Sequence, residues 1–128
     1  MRHASFFLTT DQYRAGTKTV TRRLGWKNLR PGDLVMGCVK CQGLGKGGRI
    51  ERIHPFEVIS NQPERLGRLI EDPAYGRLEA MLEGFPDLDG PGFVEMFCRH
   101  MQATPSTFVQ RIQFIHRFDL AHLARQAT

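Results

Sequence analysis

Lys18, Thr21, Arg22 and Arg23 fall close together in the run Gly16-Thr17-Lys18-Thr19-Val20-Thr21-Arg22-Arg23. Two neighbouring arginines lower the pKa of the Lys18 ammonium by like-charge repulsion, and desolvation in a cleft lowers it further. A partly neutral lysine can serve as a general base. Thr21, three residues on, is near enough in a bent segment for its hydroxyl to meet that amine, and a hydroxyl beside an amine is a recognised nucleophile arrangement. Arg23 would orient a substrate or steady developing negative charge. The same residues admit a second reading: Lys18 as a point charge on a phosphate, with Thr19 and Thr21 as ordinary strand residues.

Charge distribution bears on both readings. Residues 1–50 hold ten Lys/Arg against two Asp/Glu, whereas residues 51–128 hold eight against eleven. Between Thr17 and Gly32 there are five basic residues (Lys18, Arg22, Arg23, Lys27, Arg30) and no acid. That is the footprint expected for a polyanion such as RNA, or of a solvated face that keeps the chain in solution. On the RNA reading, phosphate contacts make affinity steeply salt-dependent. Trp26 would stack on a base, worth roughly 1–3 kcal/mol, or else cover the end of a small barrel. Lys46 and Arg49, in and after the glycine-rich run Gln42–Gly48, are further candidates to approach a phosphate. The Gly43-x-Gly45-x-Gly47 spacing is not a nucleotide-binding loop, because Arg49-Ile50-Glu51-Arg52-Ile53 reads as a strand where such loops need a helix.

The elements that must position these residues follow from periodicity and punctuation. Ser5–Leu8 reads as a short strand, and Thr9 as a helix cap with Gln12 completing a capping box. Gly16 stops that helix, and Lys18–Arg23 leaves it as an irregular strand. Pro31-Gly32-Asp33 is a turn into a strand over Leu34–Val39. Phe56–Ile59 is another strand, with Pro55 at a bulge or edge, and helical character begins at Pro63. Asp72-Pro73 opens a helix with Tyr75, Leu78 and Leu82 on its apolar face and Gly84 at its end. A second helix after Pro91 places Phe93, Met96, Phe97 and Met101 on one face, as core packing. Thr107–His116 is the last strand, with Phe108, Ile112 and Phe114 on one side, and Asp119 caps a short terminal helix. The fold class is therefore α+β, with a small mixed or barrel-like sheet.

Taken together, Ser5–Arg23, Leu29-Arg30-Pro31-Gly32-Asp33, and Glu83-Gly84-Phe85-Pro86 followed by Phe93-Val94-Glu95-Met96-Phe97 resemble the ASCH domain family over about residues 5–118. The resemblance implies a PUA-like mixed β-barrel flanked by helices, with a cleft between them. It further implies roles tied to nucleic acids: RNA binding, ribonuclease activity, or hydrolysis of the amide of N4-acetylcytidine. The amidohydrolase members' lysine, threonine and glutamate map onto Lys18, Thr21 and Glu83, although the spacing to Glu83 is longer here. A carboxylate at a helix C-terminus is disfavoured by about 0.3–1 kcal/mol, which hints at a role for Glu83 other than stability and would raise its pKa, as a proton shuttle requires.

The 128 residues fit one domain over 1–118 with a tail or short helix over 119–128. No apolar run would span a bilayer and the start lacks the features of a signal peptide, so the expected location is the cytoplasm. Three cysteines, an odd number, read as free thiols. Cys38 and Cys41 with Cys98 and His100 make a poor zinc set, since Cys38 lies in a predicted strand and the second pair is too close. No metal and no cofactor are expected. His3, His116 and His122 have no partner at a telling spacing.

Overall fold

The computed structural model describes residues 1–41 and 48–125. Its elements in chain order are β1 (Arg2–Ser5), a 3-10 turn (Phe7–Thr9), α1 (Thr10–Ala15), β2 (Val20–Arg23), β3 (Leu34–Cys38), β4 (Arg52–Arg65), α2 (Arg68–Glu71), α3 (Pro73–Leu82), α4 (Gly90–Met101), β5 (Phe108–His116) and a kinked 3-10 segment (Phe118–Arg125). The strands form one sheet in the order β1-β3-β4-β5-β2. Only β1–β3 is parallel; the other pairs are antiparallel. The chain is thus α+β, with the sheet curled into a half-barrel whose free edges are β1 and β2. Arg23 at the end of β2 donates to the Ser5 carbonyl of β1 at 2.7 Å, so a side chain spans the gap that backbone pairing leaves open.

Two apolar clusters hold this arrangement. Inside the curl, Phe6 stacks on Tyr13 with ring centroids 4.1 Å apart, and Phe56 and Phe114 close around them. Under the helices, Leu66, Leu69, Ala80, Phe93, Val94 and Val109 pack together. The inward pull of Phe6 also explains why β1 runs over Arg2–Ser5 rather than Ser5–Leu8. Once Phe6 turns into the core, the chain cannot continue as strand, and Phe7–Thr9 forms a turn.

Strand β4 is one continuous 14-residue strand through both Pro55 and Pro63, where the sequence suggests two shorter segments and the start of a helix. Pro55 precedes the first rung of the β4–β5 ladder, Phe56↔His116, and its carbonyl takes the Arg117 N–H. Beyond Glu57, β4 has lost β3 and is flanked by β5 alone, an edge on which Pro63 is tolerated.

Helix α3 has the predicted cap: the Asp72 side chain accepts from the Tyr75 N–H, with Pro73 in the first turn. Its buried face, however, is Gly76, Glu79 and Ala80, while Leu78 and Met81 are exposed. Two glycines set the distance to α4. A Cβ at Gly76 or Gly90 would strike the Leu69 carbonyl, so the three helices meet backbone to backbone.

A candidate active-site cleft

The bend between α1 and β2 is pinned by backbone bonds: Lys18 N–H donates to the Gln12 carbonyl and Thr19 N–H to the Leu82 carbonyl. This ties Lys18 to the end of α3. Gln12, expected to complete a capping box, instead donates through its side chain to the Gly84 carbonyl, and Thr9 makes no side-chain cap. Gly84, at φ +102°, turns the chain immediately after Glu83. Lys18 Nζ meets Glu83 twice, at 2.8 Å from Oε1 and 2.6 Å from the main-chain carbonyl.

These residues lie at the buried end of a cleft of about 500 Å³. Lys18, Thr21 and Glu83 all line it and are each less than 5% exposed. The β1 side contributes Phe6, Phe7 and Leu8, and α4 contributes Phe93, Met96 and Phe97. The aromatic and methionine stripe of α4 is therefore both core and cleft wall, and Met101 stands exposed at the rim. Burial pushes the Lys18 ammonium below its usual pKa; Glu83 opposes that shift, and Arg23 and Arg22 add to it. Burial likewise lowers Arg23, with Glu83 the main offset.

Thr21 Oγ1 accepts from Arg23 Nε at 3.1 Å. Among the described residues no hydrogen bond joins Thr21 to Lys18, whose donors are directed at Glu83. Trp26 also lines the cleft; its backbone is left-handed at φ 62°, and its ring lies under the Arg2 guanidinium at 3.9 Å.

Arg22, expected among the RNA contacts, is instead fully buried and held by three carboxylates: Glu79 Oε1 at 2.6 Å, Glu64 Oε1 at 2.8 Å and Glu83 Oε2 at 3.0 Å. Burial works against its charge, but Glu83 and Glu64 hold its pKa above the ordinary arginine value. A guanidinium with all three faces occupied has no fork left for a phosphate. Lys27, Arg30 and Arg49 are exposed and stand outside the cleft lining, and Lys46 lies outside the described residues.

The clustering of Glu79 and Glu83 had a signal in the sequence. Two glutamates four apart on a helix share a face and repel by a few tenths of a kcal/mol, which is relieved when a cation lies between them. His116 has a partner after all: its Nε2 donates to the Lys18 carbonyl at 2.6 Å, and its Nδ1 meets His54 Nε2 at 2.8 Å. Burial holds both imidazoles below the usual histidine pKa, His54 down to about 4. Cys38 is buried, with its thiol pushed up to about 12 by burial, and Cys41 lines the cleft. Among the described residues no three His, Cys, Asp or Glu side chains are grouped to hold a metal ion, and no helix is long and apolar enough to cross a membrane.

No family model, curated protein or solved structure matches the chain.

Proposed function

We propose that the cleft binds a nucleoside whose exocyclic amine carries an acyl group, of the N4-acetylcytidine type, and hydrolyses that amide. The observation that carries this reading is the convergence of Lys18, Thr21 and Glu83 at the buried end of a cleft with aromatic walls. A volume of about 500 Å³ lies in the range of small-molecule sites, and the exposed ring of Phe7 in its lining offers an apolar surface to a base. The resemblance to ASCH domains supports the same substrate, and a PUA-like barrel is the finer form of the curled five-stranded sheet.

A neutral Lys18 amine has two N–H groups and one lone pair. Both donors are taken by Glu83, which leaves the lone pair for the Thr21 proton. As that proton moves to Lys18, Thr21 Oγ1 bonds to the acyl carbon, and the carbonyl electrons move to its oxygen. Arg23 steadies the negative charge from the Thr21 side. Collapse breaks the C–N bond, and the departing amine takes a proton from the Lys18–Glu83 pair. Water then hydrolyses the threonyl ester, releasing the carboxylic acid and restoring Thr21.

The test is release of cytidine from N4-acetylcytidine by the wild-type protein, Lys18→Ala and Thr21→Ala. Turnover is expected in the wild type alone, with a loss of at least about 100-fold in either variant. Absence of turnover by folded wild type would remove the amidohydrolase reading. A strand of RNA is the second reading, favoured by exposed Lys27 and Arg30 beside the Trp26 loop. It requires binding that weakens steeply with salt, whereas an uncharged nucleoside is indifferent to it.

A further inference from the structure

Glu64 and Glu79 do not line the cleft, yet both touch the one arginine that grips Glu83 from behind. Successive residues of β2 face opposite ways, so Arg22 and Arg23 leave the strand on different sides. Arg23 reaches Thr21 and Ser5, while Arg22 reaches Glu64 on β4, Glu79 on α3 and Glu83 at the end of α3. Arg111 is paired with Arg22 across β2–β5 and also holds Glu79, at 2.6 Å. Tyr75 donates to Glu64 Oε2, and Arg68 stands 3.4 Å from that same oxygen.

We infer that Arg22 is a positioning residue: held by Glu64 and Glu79, it keeps the Glu83 carboxylate turned toward Lys18 and sets the charge that Lys18 carries. This rests on the amide-hydrolysis reading for its catalytic meaning, though the charge on Lys18 can be read without substrate. The division of labour on Glu83 is specific. Lys18 takes Oε1 and Arg22 takes Oε2, so neither oxygen is free to rotate away. Arg22 has a rigid fork suited to several carboxylates at once, which a lysine lacks.

Arg22 and Arg23 on β2 act on the Lys18–Glu83 pair directly. Glu64 on β4 and Glu79 and Tyr75 on α3 reach it through Arg22, and Arg111 on β5 through Glu79. Tyr13 on α1 and Cys41 after β3 face Arg23, and the His116 ring bonds the Lys18 carbonyl. Removing the Glu64 charge leaves more of the Arg22 field uncompensated at Lys18, which makes the ammonium easier to deprotonate. Removing the Arg68 charge does the reverse. The two variants therefore move one titration in opposite directions, which loss of packing alone does not do.

The experiment records the pH dependence of kcat/KM on N4-acetylcytidine. In parallel it follows the Lys18 side-chain 13Cε resonance in 13C-lysine protein with no substrate present. In Glu64→Gln the acid limb and the Lys18 midpoint are expected to fall by about half a pH unit or more. In Arg68→Ala, whose side chain is 60% exposed, both are expected to rise by a few tenths. Arg22→Lys is expected to lower kcat at least about 10-fold with KM little changed. A uniform loss of rate across pH, with the Lys18 midpoint fixed in both charge variants, would overturn the inference. If Glu64→Gln does not fold, the upward shift in Arg68→Ala decides alone. Lys18 shifts without turnover in any protein would keep the charge-setting role of this carboxylate cage and discard the amide chemistry.

Discussion

Lys18 and Arg22 approach one carboxylate from two sides, and all three groups are almost completely removed from water. Such a cage holds geometry better than it stabilises the fold, because desolvation offsets most of the Coulombic gain. Breaking it from one side is another matter. Glu83→Ala leaves Lys18 and part of Arg22 buried without a counter-charge, and should cost about 3–5 kcal/mol in urea unfolding. The double replacement Lys18→Met with Glu83→Leu should recover much of that stability, since apolar residues of similar volume often replace a buried ion pair at no loss; on the proposed reading it recovers no turnover. The two histidines behind the Lys18 carbonyl predict an acid response. In an unfolded chain His54 takes up its proton near pH 6.5, but in the fold only near pH 4. Between those values the unfolded state binds more protons, so stability falls as pH falls from about 6.5 to 4. The melting temperature should decline over that window, and His54→Gln, although less stable at pH 7, should show a shallower decline.

Among the elements, α3 carries the most consequence for its length. Its buried side is defined by a glycine that admits the Leu69 carbonyl and a glutamate that meets two arginines. Gly76→Ala should therefore cost about 3 kcal/mol or more in thermal or urea unfolding, because the obstruction is backbone and cannot swing aside. The start, cap and stop of α3 were legible in the sequence, since Asp72, Pro73 and Gly84 act within a residue or three of their own positions, Asp72 by its side chain and the other two by their backbone. Which side faces inward was not. Leu78 and Leu82 outweigh Glu79 in any hydrophobic pattern, and the arginines that reverse the preference come from β2 and β5, far away in the chain. Strand β4 was divided for a related reason. A proline argues against a strand only where its missing N–H is needed, and that depends on neighbours supplied by β3 and β5. At the site, the clustering of Lys18 and Thr21 with the arginines was local and could be read, but the bond each residue makes was not. Thr21 turns to Arg23 and Arg22 to the carboxylates because alternate residues of β2 face opposite layers.

On the scale of the whole molecule, the cleft lies at the seam of the two apolar clusters, with Phe6 from one and Phe93 and Phe97 from the other in its walls. Ligand in that seam contacts both halves, so a bound nucleoside should raise the melting temperature by an amount that grows with its concentration; calorimetric scans at rising cytidine check this. The sheet order adds a consequence in time rather than in space. Strand β2, which presents Thr21, Arg22 and Arg23, pairs with β5 alone, some ninety residues further along the chain. During synthesis, β5 alone supplies the backbone ladder for that strand, so the register of the polar end of the cleft is completed only once β5 has left the ribosome. A nascent chain arrested before Phe108 would carry Lys18, Thr21 and Glu83 but lack the ladder that sets β2 in register.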